Sequence, residues 1–271
     1  MKELRGRVAV VTGGANGIGL GLAQRFLQEG MKVVIADINE QDLARAQNSL
    51  ATSGEVLAVK TDVSREDSVQ ALADAAIGRF GAVHVLCNNA GVGGTQRFDT
   101  VGHATWEWTI GVNLWGVGNG CRVFLPILAA QDEAYIVNTA SMAGFTSGPY
   151  QATYKATKAG VVALSECLAN EFAIEYPHVG VAVLSPAYTA TSIRNDERNA
   201  PPGHIPRAVA DPGLNERRES VYSTLEQEGI SPSEIAGMVV DAMAAHKTHI
   251  FPHPQWFEAW QQRVDKVRNQ L

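Results

Sequence analysis

The chain has 271 residues, 45% hydrophobic and 18% charged with 26 glycines, a balance that excludes a disordered or fibrous protein. A formal net charge of −6 and the lack of any Lys/Arg run argue against nucleic acid, so an anionic ligand must be held by local features. The apolar run in MKELRGRVAVVTGG is too short for a secretory signal and no segment has the length of a membrane span; the expectation is one soluble, cytoplasmic domain over 1–271.

Short β-branched runs at 7–12, 32–37, 55–62, 82–89, 134–141, 179–186 and 249–251 alternate with helix-length intervals. None shows clear polar alternation, so each strand is buried on both faces. The pattern predicts an α/β fold: a doubly wound parallel sheet of about seven strands between two helical layers.

The first run leads into TGGANGIG, Thr12 to Gly19, and then into the apolar-periodic LGLAQRFLQEG. In this strand–turn–helix context Gly13 permits a tight turn, Gly17 lets backbone approach a pyrophosphate and Gly19 lets the helix pack close on the strand. The helix start aims free N–H groups and its dipole at phosphates. Asp37 closes the second run at about the twenty-residue distance where a carboxylate accepts hydrogen bonds from ribose hydroxyls. Such a carboxylate repels a 2′-phosphate, and no Arg or Lys follows it directly, so NAD is favoured over NADP.

Asp62-Val63 ends the third run, where the carboxylate either meets an adenine amino group or caps the helix that follows. NNAG, Asn88 to Gly91, ends the fourth with residues small enough for close backbone approach. Asn113 stands in an otherwise apolar helix, IGVNLWG, and either holds a water near Lys158 or bonds local backbone. Ser141 closes the fifth run at the sheet edge where doubly wound folds bind ligands, and its hydroxyl can donate to a carbonyl or alkoxide oxygen.

TYKATK, Thr153 to Lys158, follows. Side chains four apart share a helix face, so Tyr154 and Lys158 project together while Lys155 points about 100° away, toward solvent. A base useful near neutrality needs the tyrosine pKa of about 10 lowered by roughly three units, or about 4 kcal/mol, which a nearby ammonium and a cationic nicotinamide can supply. Tyr150, one turn earlier, is a candidate pocket wall with Val92, Met142, Phe145 and Tyr188, which together suggest a substrate with a hydrophobic body.

From Tyr188 to about Gly229 the chain carries Pro201, Pro202, Gly203, Pro206, Pro212 and Gly213 and reads as a long irregular excursion of the lid or binding kind. The tail, 254–271, sets Trp256, Phe257, Trp260, Val264 and Val267 on one helical side, as core or subunit packing. Cys87, Cys121 and Cys167 read as small buried hydrophobes, and His246, His249 and His253 as surface histidines without a metal pattern.

In their order, these motifs resemble the short-chain dehydrogenase/reductase family in its single-domain branch. The resemblance implies a Rossmann-type sheet, reversible hydride transfer between NAD(P) and an alcohol or carbonyl, and a homo-oligomer, tetramer or dimer. It implies that Tyr154 is the general acid/base, that Lys158 lowers its pKa and holds the nicotinamide ribose, that Ser141 stabilises the reacting oxygen and that Asn113 anchors a relay water. It extends the cofactor set to Asn16 and Ile18 in the turn, Ile38 beside Asp37, Asn89 and Ala90 with Gly91, and Pro186, Thr189 and Thr191 after the sixth strand. Pro186-Ala187 departs from the family's usual Pro-Gly. The reading is therefore an NAD-dependent dehydrogenase of secondary alcohols, with an NADPH-dependent carbonyl reductase and a non-catalytic NAD(H)-binding regulator as rivals.

Overall fold

The computed structural model describes residues 1–189, 191–227 and 229–270, with all their side chains except those of Ser192, Arg194, Asn195, Val221, Tyr222, Leu225, Glu226 and Gln227. Seven strands form one sheet: β1 (Val8–Thr12), β2 (Lys32–Asp37), β3 (Val56–Lys60), β4 (Val85–Asn88), β5 (Ala134–Thr139), β6 (Val179–Leu184) and β7 (His249–Ile250). All pairings are parallel, in the order β3-β2-β1-β4-β5-β6-β7. Most strands stop short of the lengths expected from sequence. Asp62, Asn89 and Ser141 leave the ladder and turn into the loops of the carboxyl edge.

The helices are α1 (Gly17–Gln28), α2 (Glu40–Leu50), α3 (Glu66–Phe80), α4 (His103–Ile110), α5 (Gly116–Ala129), α6 (Ala152–Glu175), α7 (Arg207–Ala210), α8 (Asn215–Gln227), α9 (Pro232–Ala244) and α10 (Phe257–Arg268). β1, β4 and β5 are buried at every residue. This is why their sequences lack alternation. On one face Leu22 and Phe26 of α1 and Val239 of α9 pack on Val33 and Ile35; on the other, Leu72, Phe124 and Phe172 of α3, α5 and α6 pack on Val10, Leu86 and Ile136. Truncating fully buried Phe26 to Ala would cost about 3–5 kcal/mol. No described helix is long and apolar enough to cross a membrane.

The 188–229 excursion is largely helical, not irregular. A 3-10 segment, Ser192–Asn199, is followed by α7, a short turn and α8. Its prolines start elements: Pro206 precedes α7 and Pro212 opens the next turn, where a missing N–H costs nothing. Buried arginines anchor it in place of an apolar stripe. Arg207 pairs with Asp196 and Glu197, and Arg218 donates to the Thr95 carbonyl at 2.9 Å and the Asp211 carbonyl at 2.9 Å.

The tail stripe divides. Trp260 packs on Phe145 at 4.7 Å between ring centroids, and Phe257 on Phe251 at 4.7 Å, whereas Val264 and Val267 stay exposed. Cys87 and Cys121 are buried, but Cys167 is exposed on the outer face of α6, against the expectation from residue type.

Candidate active site

The strand order reverses between β1 and β4, and a cleft of about 620 Å³ runs along the carboxyl edge there. From the turn it is lined by Gly13, Asn16, Gly17 and Ile18, and after β2 and β3 by Asp37, Ile38, Asp62 and Val63. Asn89, Ala90 and Gly91 form its floor after β4. Ser141, Tyr154 and Lys158, then Pro186, Thr189 and Thr191, complete the wall. Of the catalytic and cofactor-binding residues expected from sequence, Gly19 and Asn113 do not line it.

Gly13 and Gly17 both take left-handed φ, +63° and +52°, which places the turn under the start of α1. A Cβ on Gly19 would overlap the Gly13 carbonyl oxygen, so that glycine serves the close approach of helix to turn. The Thr12 hydroxyl accepts from the amides of Asn89 at 3.0 Å and Ala90 at 3.1 Å, tying the NNAG loop to the first strand. Asp37 accepts from the Asn39 amide at 3.0 Å. Burial raises its pKa, with its backbone hydrogen bonds opposing. Asn39 itself caps α2 by accepting from the Asp42 amide at 3.0 Å. Asp62 accepts from the amide and hydroxyl of Ser64, while α3 starts four residues on behind Arg65; it closes a turn and faces the cleft rather than capping the helix.

This end suits a dinucleotide. It has a glycine cradle at a helix N-terminus, the Asp37 carboxylate after β2, and in Thr189 a buried hydroxyl without a hydrogen-bond partner among the described residues. The 3-10 segment crosses the same end: Arg198 donates to Asp42 at 2.7 Å, and Asn39 to Asn199 at 3.2 Å. Sequence proximity to Asp37 did not reveal this cation.

At the other end, Tyr154 and Lys158 share a face of α6, with the ammonium 5.7 Å from the centre of the phenol ring. Lys158 is 4% exposed and donates to the Thr139 carbonyl at 2.8 Å; burial pulls its pKa down to about 8. Tyr154 lies above its ordinary value, because burial raises it, the Ser141 hydroxyl lowers it and the Asp196 carboxylate raises it. The lowered phenol expected from sequence is therefore not a property of the protein groups alone. Ser141 donates to the Pro186 carbonyl at 3.1 Å and accepts from the Ala143 amide at 3.1 Å.

Asn113 bonds the backbone of the loop after β4 and a side chain of α6. It sits in a π-type turn, Gly111–Trp115, between α4 and α5 and is fully buried. Its oxygen accepts from the Val92 amide at 2.8 Å, and its nitrogen donates to the Val92 carbonyl at 2.9 Å and the Thr157 hydroxyl at 3.3 Å. These bonds fix the loop after β4 against α6. Asn16 is engaged too, donating to Asp42 at 2.9 Å.

Val92, Met142 and Tyr188 line the substrate end. Phe145 does not, being packed among Phe251, Trp260 and His249, and Tyr150 lies outside under the Arg217 guanidinium. Lys155 is half-buried on the cleft wall instead of solvent-facing, and Trp256 joins it from the tail. His253, expected at the surface, is 2% exposed and accepts from the Ala187 amide at 3.1 Å, fixing the loop where the family's usual glycine is absent. Among the described residues no group of His, Cys, Asp or Glu is placed to hold a metal.

Residues 7–202 match the family model described as short chain dehydrogenase. A "CLA biosynthesis dehydrogenase/reductase" of Lactiplantibacillus plantarum is 29% identical over 98% of this chain and 95% of its own. A "Fluoren-9-ol dehydrogenase" of a Terrabacter species is 37% identical over 70% of this chain and 58% of its own. The crystal structure of a short chain dehydrogenase/reductase from Burkholderia phymatum in complex with NAD superimposes with a TM-score of 0.94 at 36% identity, covering 100% of this chain and 97% of that one. Cleft, motif order and these relatives agree: the chain belongs to the short-chain dehydrogenase/reductase family, an oxidoreductase that uses a nicotinamide cofactor.

Proposed function

We propose that this protein is an NAD-dependent dehydrogenase that interconverts a secondary alcohol and its ketone, the substrate having an apolar body. The observation that carries the reading is the shared cleft: Asp37 lies after β2, and Ser141, Tyr154 and Lys158 lie at β5 and α6. Three strand spacings separate β2 from β5, or about 14 Å, a span for an extended dinucleotide. The bound nicotinamide supplies the hydride acceptor, or in reduction the donor. Tyr154 then takes the hydroxyl proton during oxidation and returns it during reduction, while the Ser141 hydroxyl turns from Pro186 to donate to the substrate oxygen. Lys158, cationic below about pH 8, favours the phenolate form of Tyr154 and is placed to bond a ribose hydroxyl.

The NAD complex of the Burkholderia phymatum relative and the carboxylate of Asp37 both favour NAD. Arg198 favours the NADPH reading, since it brings a cation to the adenosine end, but Asp42 already accepts its guanidinium. The name of the fluoren-9-ol relative supports an apolar alcohol. Exposed Trp115 and Ile174, at 63% and 78%, support assembly of the chain into a homo-oligomer.

The test is NAD reduction followed by absorbance over a panel of secondary alcohols from aliphatic to polycyclic. Tyr154→Phe should lose at least about a hundredfold in kcat while NADH binding by fluorescence titration persists. Tighter binding of NADPH than NADH would overturn the NAD assignment. Tight NADH binding without any turnover would favour a regulatory role.

A further inference from the structure

The substrate end carries positive charge that the hydride chemistry does not use. Lys155 lies half-buried in the cleft wall, one residue from Tyr154 but on another face of α6. Its ammonium donates to the Thr146 hydroxyl at 3.1 Å and the Thr146 carbonyl at 3.4 Å, two acceptors for three donors. Gly148, also on the wall, lies beside it, such that a Cβ there would stand 3.9 Å from Lys155 Cε. Arg217 of α8 is exposed, also lines the cleft and lies over the Tyr150 ring at 5.3 Å. Behind them Arg263 of α10 donates to the Phe145 carbonyl at 3.0 Å. Burial first and Arg263 second depress the Lys155 pKa.

Among the described residues, no carboxylate forms an ion pair with Lys155, Arg217 or Arg263. The acids of the cleft are placed elsewhere. Asp37 and Asp62 follow β2 and β3, and Asp196 is matched by buried Arg207. In a chain of net charge −6, the cleft thus holds a half-buried ammonium and an exposed guanidinium that no carboxylate among the described residues pairs. Partial burial disfavours the Lys155 ammonium, a cost that a bound anion would offset. Val92, Met142, Tyr188, Ile193 and Trp256 add apolar surface to the cleft wall.

Resting on the dehydrogenase reading above, we propose that the substrate is an amphiphilic hydroxy acid or keto acid: the carbinol or carbonyl at Tyr154, an apolar body along the wall, and a carboxylate received by Lys155 and Arg217. The Arg217 fork suits a carboxylate at the rim, and Lys155 supplies a point charge deeper in.

The experiment compares medium-chain secondary hydroxy acids with their methyl esters and with neutral secondary alcohols of equal length, using NAD and the full chain. The wild type should favour acid over ester by about tenfold or more in kcat/KM, expressed in KM. Lys155→Met and Arg217→Met should each pull that ratio toward one, and Lys155→Arg should keep most of it. Equal handling of acid and ester by the wild type, or a ratio that the Met variants leave untouched, overturns the proposal. Calorimetric binding of acid and ester to the NADH-loaded protein is measured alongside. If nothing is oxidised, neutral alcohols included, the dehydrogenase reading falls by itself; tighter binding of the acid then still supports the anion site, and equal binding overturns it.

Discussion

Arg198 and Asp42 form an ion pair at 2.7 Å although 156 residues separate them, so the 3-10 segment after β6 is fastened to α2 across the adenosine end of the cleft. Asn39 adds a second tie by donating to Asn199 at 3.2 Å. Asp42 is buried and also accepts from Asn16 and Arg45. Burial opposes its charge, but these hydrogen bonds outweigh it and hold its pKa below the usual carboxylate value. The tie should slow the release of a dinucleotide bound beside it. Arg198→Ala should speed NADH release by about tenfold in stopped-flow fluorescence, the effect of losing roughly 1.4 kcal/mol. An unchanged release rate would mean that the segment does not gate the cofactor.

Asp196 belongs to the same segment and reaches the catalytic end. One oxygen accepts from the Gly93 amide at 2.6 Å and the other pairs with Arg207, both residues being buried. Its charge raises the Tyr154 pKa after the larger contribution of burial. Asp196→Asn should therefore shift the acidic limb of the oxidation pH profile to lower pH. The limb position does not depend on the amount of folded protein, which matters because the substitution also removes one of the carboxylates paired with buried Arg207 and weakens the fold. A limb that stays in place would detach Asp196 from the titration of Tyr154.

The sheet was legible because its central strands are covered on both faces, and Val, Ile and Leu runs such as KVVIAD report burial, whereas the edge strand β3 is only partly covered. The turn and the Tyr154–Lys158 face were legible because their spacing is local. What escaped notice depends on contacts between distant segments. Arg207 and Arg218 anchor the excursion by buried charge, which hydrophobic periodicity reads as solvent-exposed loop. Lys155 shows the opposite error: its helical angle away from Lys158 was read as solvent, whereas the Thr146–Gly148 loop folds over that face. His253 gave no signal at all, since its acceptor role depends on Ala187, 66 residues earlier.

Lys158 combines its proposed catalytic role with a stability cost. Its pKa falls from 10.5 to about 8 on burial, so the folded protein binds the proton less tightly than the unfolded chain. That difference removes about 3 kcal/mol of stability below pH 8, and the loss shrinks as pH rises from 8 to 10.5. Lys158→Met gives up the 2.8 Å bond to Thr139, worth about 1 kcal/mol, and escapes the larger penalty. It should lose activity by about a hundredfold or more while its Tm at pH 7 equals or exceeds that of the wild type. The advantage should vanish near pH 10 in calorimetric scans. A variant that melts well below the wild type at pH 7 would make Lys158 a structural group first.

Two histidines set an acid limit on stability. His84 accepts from the Val8 amide at 3.2 Å, and His253 from the Ala187 amide at 3.1 Å, roles open only to neutral imidazole. Burial lowers both pKa values; nearby Arg7 lowers His84 further against Asp132, and the Tyr188 backbone acts against the shift at His253. Since the folded values lie below the ordinary 6.5, the unfolded chain takes up more protons as pH falls. The stability is fully present above about pH 6.5 and is lost as pH drops through that value. Urea midpoints should therefore fall between pH 7.5 and pH 5.5 in the wild type. The His84→Gln, His253→Gln double variant keeps an acceptor at both positions without a titrating group, and its midpoints should fall less over the same interval. Equal slopes for the two proteins would place the acid sensitivity in the carboxylates instead. Because His253 holds Ala187 on the cleft wall, the same variant reports on catalysis: loss of NADH affinity at pH 5.5 in the wild type, but not in His253→Gln, ties the fold's acid limit to the loop that follows β6.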